Sequence, residues 1–231
     1  MQSNYFEIER NLQIAIDDGK EIELISFSLE DDIETDLRMA LDKVLSRYER
    51  ASLVDLLFSC LLELATNGTK ANMKQIYFEE NGWNLAEEDG YQDRLAHFKK
   101  GSMQGSWIKQ YSVKARERGL FVKIQIRHAP EGLHIAVINT HPLTSTDRAR
   151  IEEKISLALR YQNIVEYHMQ HGDDSEGQGL GLALAILILR SNGIDPQHLW
   201  IETSATETIA HLEIPLSEEF KSRRTESPEG G

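Results

Sequence analysis

Apolar residues recur along this chain at two spacings, and the changes between them mark out its elements. Glu21 to Leu29 is rich in Ile, Leu and Phe and alternates through Ile25, Phe27 and Leu29, which predicts a strand. From Asp32 to Tyr48 the period lengthens, with Ile33, Leu37, Leu41, Val44, Leu45 and Tyr48 at helical spacing. A second helix from Ser52 onward is apolar on more than one face, as a buried helix is. Lys74 to Phe78 reads as a short strand. Glu79 to Gly119 then turns polar and glycine-bearing, with Trp83 and Trp107 scattered through it, and reads as an insertion or a partner surface whose aromatics form a small satellite core.

Two hairpins follow. Phe121 to Arg127 and Leu133 to Asn139 alternate and flank His-Ala-Pro-Glu-Gly, the composition of a hairpin connection. Thr144 with Asp147 predicts a capped helix carrying Ile151, Ile155, Ala158 and Leu159 on one face. The last hairpin runs from His198 to Thr203 and from Thr208 to Ile214, and the tail beyond Pro215 lacks apolar content and is expected to fray. Helices followed by mostly antiparallel strands, with one more helix between strand pairs, predict an α+β fold, a two-layer α/β sandwich. The expected organisation is an N-terminal strand and helix (1–51) packed on a main domain (52–216) with an insertion at about 79–119, then a disordered tail (217–231).

Composition narrows the partners. The 231 residues are ample for an independent core. Thirty-eight acidic against 25 basic residues give a net charge of -13, which argues against a nucleic-acid partner. The single cysteine, Cys60, lies among Leu56, Leu57, Leu61 and Leu62 and reads as core packing in a reducing compartment. The N-terminus carries no basic segment followed by an apolar one, and the apolar run Leu182 to Leu189 is too short to span a bilayer. A cytoplasmic protein without a membrane partner is expected.

Two constellations carry candidate chemistry. Gly177 to Ile186 reads Gly-Gln-Gly-Leu-Gly-Leu-Ala-Leu-Ala-Ile, alternating glycines running into an apolar helix. Glycine lets backbone approach a ligand closely, and a helix N-terminus points unpaired N–H groups at an anion. The run is neither a Walker A loop nor a dinucleotide fingerprint, and a glycine-softened loop before a core helix is the other reading. Glu63, Asn67 and Lys70 stand at i, i+4 and i+7, so a carboxylate, an amide and an ammonium share one helix face. Such a stripe can orient an attacking group, ligate Mg²⁺ through the amide oxygen and contact a phosphate. By itself it also reads as a solvated face, and Asn67-Gly68 is a turn-like dipeptide.

In this order and separation, Glu63-Leu-Ala-Thr-Asn67-Gly-Thr-Lys70 resembles the N box, and Gly177-Gln-Gly179-Leu180-Gly181-Leu the glycine box, of the GHKL ATPase family. That family includes sensor histidine kinases, type II topoisomerases, mismatch-repair ATPases and the large heat-shock chaperones. The resemblance covers roughly Ser52 to Leu216 and implies the Bergerat fold, a histidine-kinase-like ATPase domain holding ATP between helices and sheet under a mobile lid. It implies Glu63 as general base, Asn67 as Mg²⁺ ligand and Lys70 as phosphate contact. Gly177, Gly179, Leu180 and Gly181 would close over the triphosphate, with Asp173 to Glu176 in the lid. Where the family has Asp-x-Gly-x-Gly, this chain has Asn139-Thr-His141-Pro-Leu143. The Asn139 carbonyl still accepts from an adenine amino group, but the amide also donates, which alters base selectivity. A strand-end turn residue is the other reading of Asn139.

The first histidine is His97, so no phosphoacceptor histidine precedes the N box. His128, His134, His141 and His211 lie in or beside predicted strands and read as packed or surface imidazoles. The opening strand, helix and N-box helix resemble the layout of stand-alone anti-sigma-factor serine kinases. That likeness implies a Mg-ATP-dependent kinase or phosphotransfer regulator acting on a separate protein, either a response regulator or an anti-sigma-type antagonist, with a homodimer left open. Two other classes stay in play: a nucleotide-sensing module without turnover, and a protein-contact module that uses residues 79–119.

Overall fold

Among the described residues five strands, β1 (Ile22–Ser26), β2 (Val122–Ala129), β3 (Gly132–Asn139), β4 (Leu199–Thr203) and β5 (Thr208–Pro215), pair antiparallel throughout in the order β1-β2-β3-β5-β4. The computed structural model describes residues 2–28, 33–85, 90–102, 104–162, 164–171 and 180–225. Side chains alternate across the sheet with period two. Val122, Ile124 and Ile126 of β2 are buried on one face beside Leu133, Ile135 and Val137 of β3, while Lys123 and Gln125 face the other way and bond to Glu23. β1 takes the opposite phase to the one its sequence suggested. Ile22, Leu24 and Ser26 point inward and Ile25 is 51% exposed, because a one-residue shift turns every side chain of a strand to the other face.

The helices among the described residues are α1 (Gln2–Asp17), α2 (Ile33–Arg47), α3 (Val54–Glu80), α4 (Tyr91–Ser102), α5 (Gly105–Glu117), α6 (Ser145–Ala158), α7 (Ile164–His171) and α8 (Leu180–Ser191). Leu37, Leu41 and Leu45 of α2, Leu57 and Leu61 of α3, and Ala183 and Leu187 of α8 are fully buried and join the inward face of the sheet in one core. A mixed α+β fold with an antiparallel sheet results. Thr144 caps α6 as its spacing predicts, accepting from the Asp147 N–H at 3.0 Å.

Lys74 to Phe78 is helix, not strand: α3 runs unbroken for 27 residues. Ile76, Tyr77 and Phe78 favour strands in isolation, but Met73, Ile76 and Phe78 are taken up by a second core built with α4 and α5, and tertiary packing overrides a five-residue propensity. With the short 3-10 turn before it, the 30-residue span Ala51–Glu80 contains an 18-residue window of mean hydropathy 1.3, long and apolar enough to cross a membrane by length and composition. Its most apolar positions serve the two cores.

The polar stretch after α3 is thus a helical hairpin. Trp107 stacks on Tyr111 at 3.9 Å between ring centroids, and Trp83 meets Phe78 edge-on at 5.6 Å. Lys114 to Glu80 and Arg118 to Glu79, each 2.6 Å, tie α5 back to the end of α3. At the chain's other end, residues 217–225 pack rather than fray. Phe220 stacks on His134 at 4.9 Å and the Arg223 N–H donates to Glu213 Oε1 at 2.7 Å. Glu213 is 1% exposed, with His134 Nδ1 and His198 Nδ1 at 3.0 and 3.1 Å from its two oxygens. Burial works to raise its pKa, and hydrogen bonds from Ser222, the Arg223 N–H and His198 outweigh that and hold the carboxyl below its ordinary value.

Candidate functional site

α3 carries the stripe because nothing in it stops a helix until Asn81. Asn67 Nδ2 donates to Glu63 Oε1 at 3.1 Å, one turn apart on the same face. An ionised carboxylate only accepts, so the amide must turn its N–H₂ toward Glu63, which leaves Asn67 Oδ1 for another partner. Both residues are half-buried, and Lys70, a turn further on, is exposed.

Gly68 explains how this helix meets the sheet. A β-carbon there would lie 2.8 Å from Val122 Cγ2 and 3.5 Å from Asn139 Cβ. Glycine therefore lets α3 press against the start of β2 and the end of β3, and that seam sets Asn139 beside the residue following Asn67. The turn-like dipeptide of the sequence is a contact point inside a helix. Asn139 is 7% exposed and its Oδ1 is buried with no hydrogen-bond partner among the described residues. A buried acceptor left unpaired costs about 1–3 kcal/mol, which a ligand N–H would recover.

Other polar groups gather around this seam. His141 is 8% exposed and neither ring nitrogen finds a partner among the described residues, while Thr208 Oγ1 donates to its carbonyl at 2.7 Å. Burial first, then the nearby Lys74 charge, hold its imidazole below the ordinary value, so it is neutral at neutral pH. Asn72, a turn beyond Gly68 on the same face of α3, buries an unpaired Oδ1 as well. Lys74 Nζ lies 3.3 Å from Asp147 Oδ2 and donates to the Tyr91 hydroxyl at 3.2 Å, joining α3, α4 and α6. Asn72, Lys74 and Tyr91 belong to no sequence motif, and only the length of α3, misread as ending before Lys74, would have placed the first two on one helix with Asn67.

The structure thus pairs Asn67 with Glu63, sets Asn139 against Gly68, the residue that follows Asn67, and leaves Lys70 exposed on the same helix. Gly177 and Gly179, with Asp173 to Glu176, lie outside the described residues; Leu180 and Gly181 begin α8, which packs against α3. Two of the cavities among the described residues lie elsewhere. One, of about 550 Å³, sits where α1, α2 and α3 meet around Arg38 and Phe58; the other, of about 440 Å³, lies between α6 and β4. None of Glu63, Asn67, Lys70 and Asn139 lines either cavity.

No family model matches the chain. Among curated proteins it is similar to an uncharacterized protein of Treponema pallidum (strain Nichols), 28% identical over 218 residues that cover 94% of this chain and 40% of that protein. The chain therefore spans about two fifths of the length of this relative. No solved structure matches it.

Proposed function

We propose that this chain is a Mg-ATP-binding signalling protein with a GHKL-type ATPase domain of the Bergerat fold, which transfers a γ-phosphate to a separate, cytoplasmic protein partner. One observation carries the reading: the Glu63–Asn67 pair lies next to Gly68, against which Asn139 packs with a buried Oδ1 that has no partner among the described residues. These residues fit the groups they would hold. Asn67 Oδ1 is a neutral oxygen suited to Mg²⁺, and Asn139 Oδ1 is an acceptor suited to the exocyclic amino group of a base. Mg²⁺, when bound, neutralises charge on the phosphates.

The chain's own residues divide the remaining work. Glu63 takes the proton from the partner's hydroxyl or imidazole, Lys70 meets phosphate oxygens, and Leu180 and Gly181 offer backbone N–H groups at the start of α8. A nucleotide-sensing module without turnover is the second reading, favoured by Asn139 and His141 standing where the family has aspartate and glycine. Calorimetric titration with a non-hydrolysable ATP analogue, with and without Mg²⁺, tests the site. Mg-dependent binding supports both readings, transfer of labelled γ-phosphate to a partner favours the first, and absence of binding removes both.

A further inference from the structure

α6 and β4 form the two walls of a groove of about 440 Å³ that the nucleotide reading leaves unused. Arg148, Ile151, Ile155 and Leu159 recur at helical spacing and line it from α6 and its C-terminal end. Leu199 and Ile201 line it from the strand, and Ile186 of α8 contributes from below. β4 ends the sheet: β5 pairs with one side, and no strand among the described residues pairs with the other. Such an edge presents N–H and C=O groups that a ladder has not used. Leu199–Thr203 contains no Lys or Pro to blunt the edge, and its one charged side chain, Glu202, accepts from Trp200 Nε1, pairs with His211 and does not line the groove.

The dimensions suit an extended chain. Ile151 and Ile155 are about 6 Å apart along their helix, and side chains on one face of a strand repeat every ~6.6 Å, so residues i and i+2 of an added strand come into step with the two isoleucines. The rim supplies charge. Arg148, Arg224 and Glu152 are exposed there, two positive charges against one negative, leaving the rim net positive on a chain of net charge -13. Arg224 donates through one guanidinium nitrogen to the Gln197 carbonyl at 2.8 Å, which steadies it with further N–H groups to spare. Residues 226–231, Glu-Ser-Pro-Glu-Gly-Gly, carry no aliphatic or aromatic side chain larger than proline.

We propose that this groove docks an extended peptide segment of a partner protein, added to β4 as a sixth strand. Its apolar side chains at alternate positions enter between α6 and β4, and an acidic side chain beside them is held by Arg148 and Arg224. This is strand addition, in which main-chain hydrogen bonds give affinity and pockets for alternate side chains give selectivity. It does not depend on nucleotide binding, and its test is run without nucleotide, so its failure leaves the nucleotide reading standing.

The probe is a random heptapeptide library displayed on phage, selected on the full chain and counter-selected on an Ile155→Glu variant. Enriched peptides are expected to carry apolar residues two apart with an Asp or Glu nearby, and to slow hydrogen exchange of β4 amides. Arg148→Glu, a surface change that leaves the core alone, is expected to weaken a selected peptide by at least about threefold, as an exposed ion pair does. Proline at the centre of that peptide is expected to abolish binding, since it removes a ladder donor. The proposal is overturned if no peptide survives counter-selection, if binders leave β4 exchange unchanged, or if the proline and Arg148→Glu variants bind as before. It is equally overturned if β4 amides are already protected in a dimer of this chain.

Discussion

Replacing Gly68 by alanine probes whether α3 meets the sheet as closely as the structure has it. The new methyl carbon would stand 2.8 Å from Val122 Cγ2, whereas carbon atoms in contact settle at about 3.5–4.0 Å. Valine has little freedom at χ1 to move aside, and its cross-strand partner Asn139 has its Cβ 3.5 Å from the new carbon. Two terms oppose each other. Alanine in place of glycine inside a helix gains about 1 kcal/mol, and overpacking a filled site costs about 1–3 kcal/mol. The expected net is a loss of about 1 kcal/mol. In a Val122→Ala background the offending methyl is gone, so the same substitution should gain about 1 kcal/mol, a coupling near 2 kcal/mol between the two positions. Urea denaturation of the parent, both single variants and the double variant measures this cycle. Equal stabilisation by Gly68→Ala in both backgrounds would show that helix and sheet do not touch at Gly68, and would remove the reason for placing Asn139 beside Asn67.

Further expectations follow from the same contacts. Asn67→Ala should abolish Mg-dependent nucleotide binding in a calorimetric titration; parent-like affinity would refute the assignment of Asn67. Glu63→Ala should retain binding and lose phosphate transfer, and loss of binding with an intact fold would make Glu63 a ligand or structural residue instead. His128, His134, His141 and His211 are all held below the ordinary imidazole value, first of all by burial. The unfolded chain therefore takes up these protons at higher pH than the folded one, so their contribution is complete above about pH 6.5 and declines as pH falls toward the lowered values. Melting temperatures should fall between about pH 7 and about pH 5, less steeply for His141→Gln, and a flat profile would contradict the assignment. Cys60 is 2% exposed and burial pushes its thiol up to about 12, so iodoacetamide should label it only in denaturant.

Periodicity revealed most where a segment reports on itself. The β2–β3 hairpin, the Thr144 cap and the helix over Ile33–Arg47 rest on local alternation, spacing and a two-residue hydrogen bond, all of which a sequence displays. The phase of β1 was hidden, because Ile22–Leu24 and Ile25–Phe27 alternate equally well and only pairing with β2 selects between them. Lys74 to Phe78 misled because its aromatic and β-branched residues serve a core with Tyr91, Phe98 and Tyr111, partners far along the chain. The tail misled for the opposite reason. Phe220 is its one large apolar side chain, and what anchors residues 217–225 is a carboxylate on β5 that no tail composition predicts. Of the candidate site, the Glu63–Asn67 stripe was legible from spacing. Its meeting with Asn139 was not, since that depends on what the glycine at position 68 faces.

α3 belongs to both cores at once, its first half locked among β2, β3 and α8 and its last turns inside the aromatic cluster of α4 and α5. A single continuous helix of about 40 Å is a stiff rod. The cluster cannot melt without unwinding the end of that rod, and the rod cannot fray inward without disturbing Asn67 at its middle. The helical hairpin and the sheet should therefore denature in one cooperative step, with amide protection in α4 and α5 tracking that of the strands rather than collapsing ahead of it.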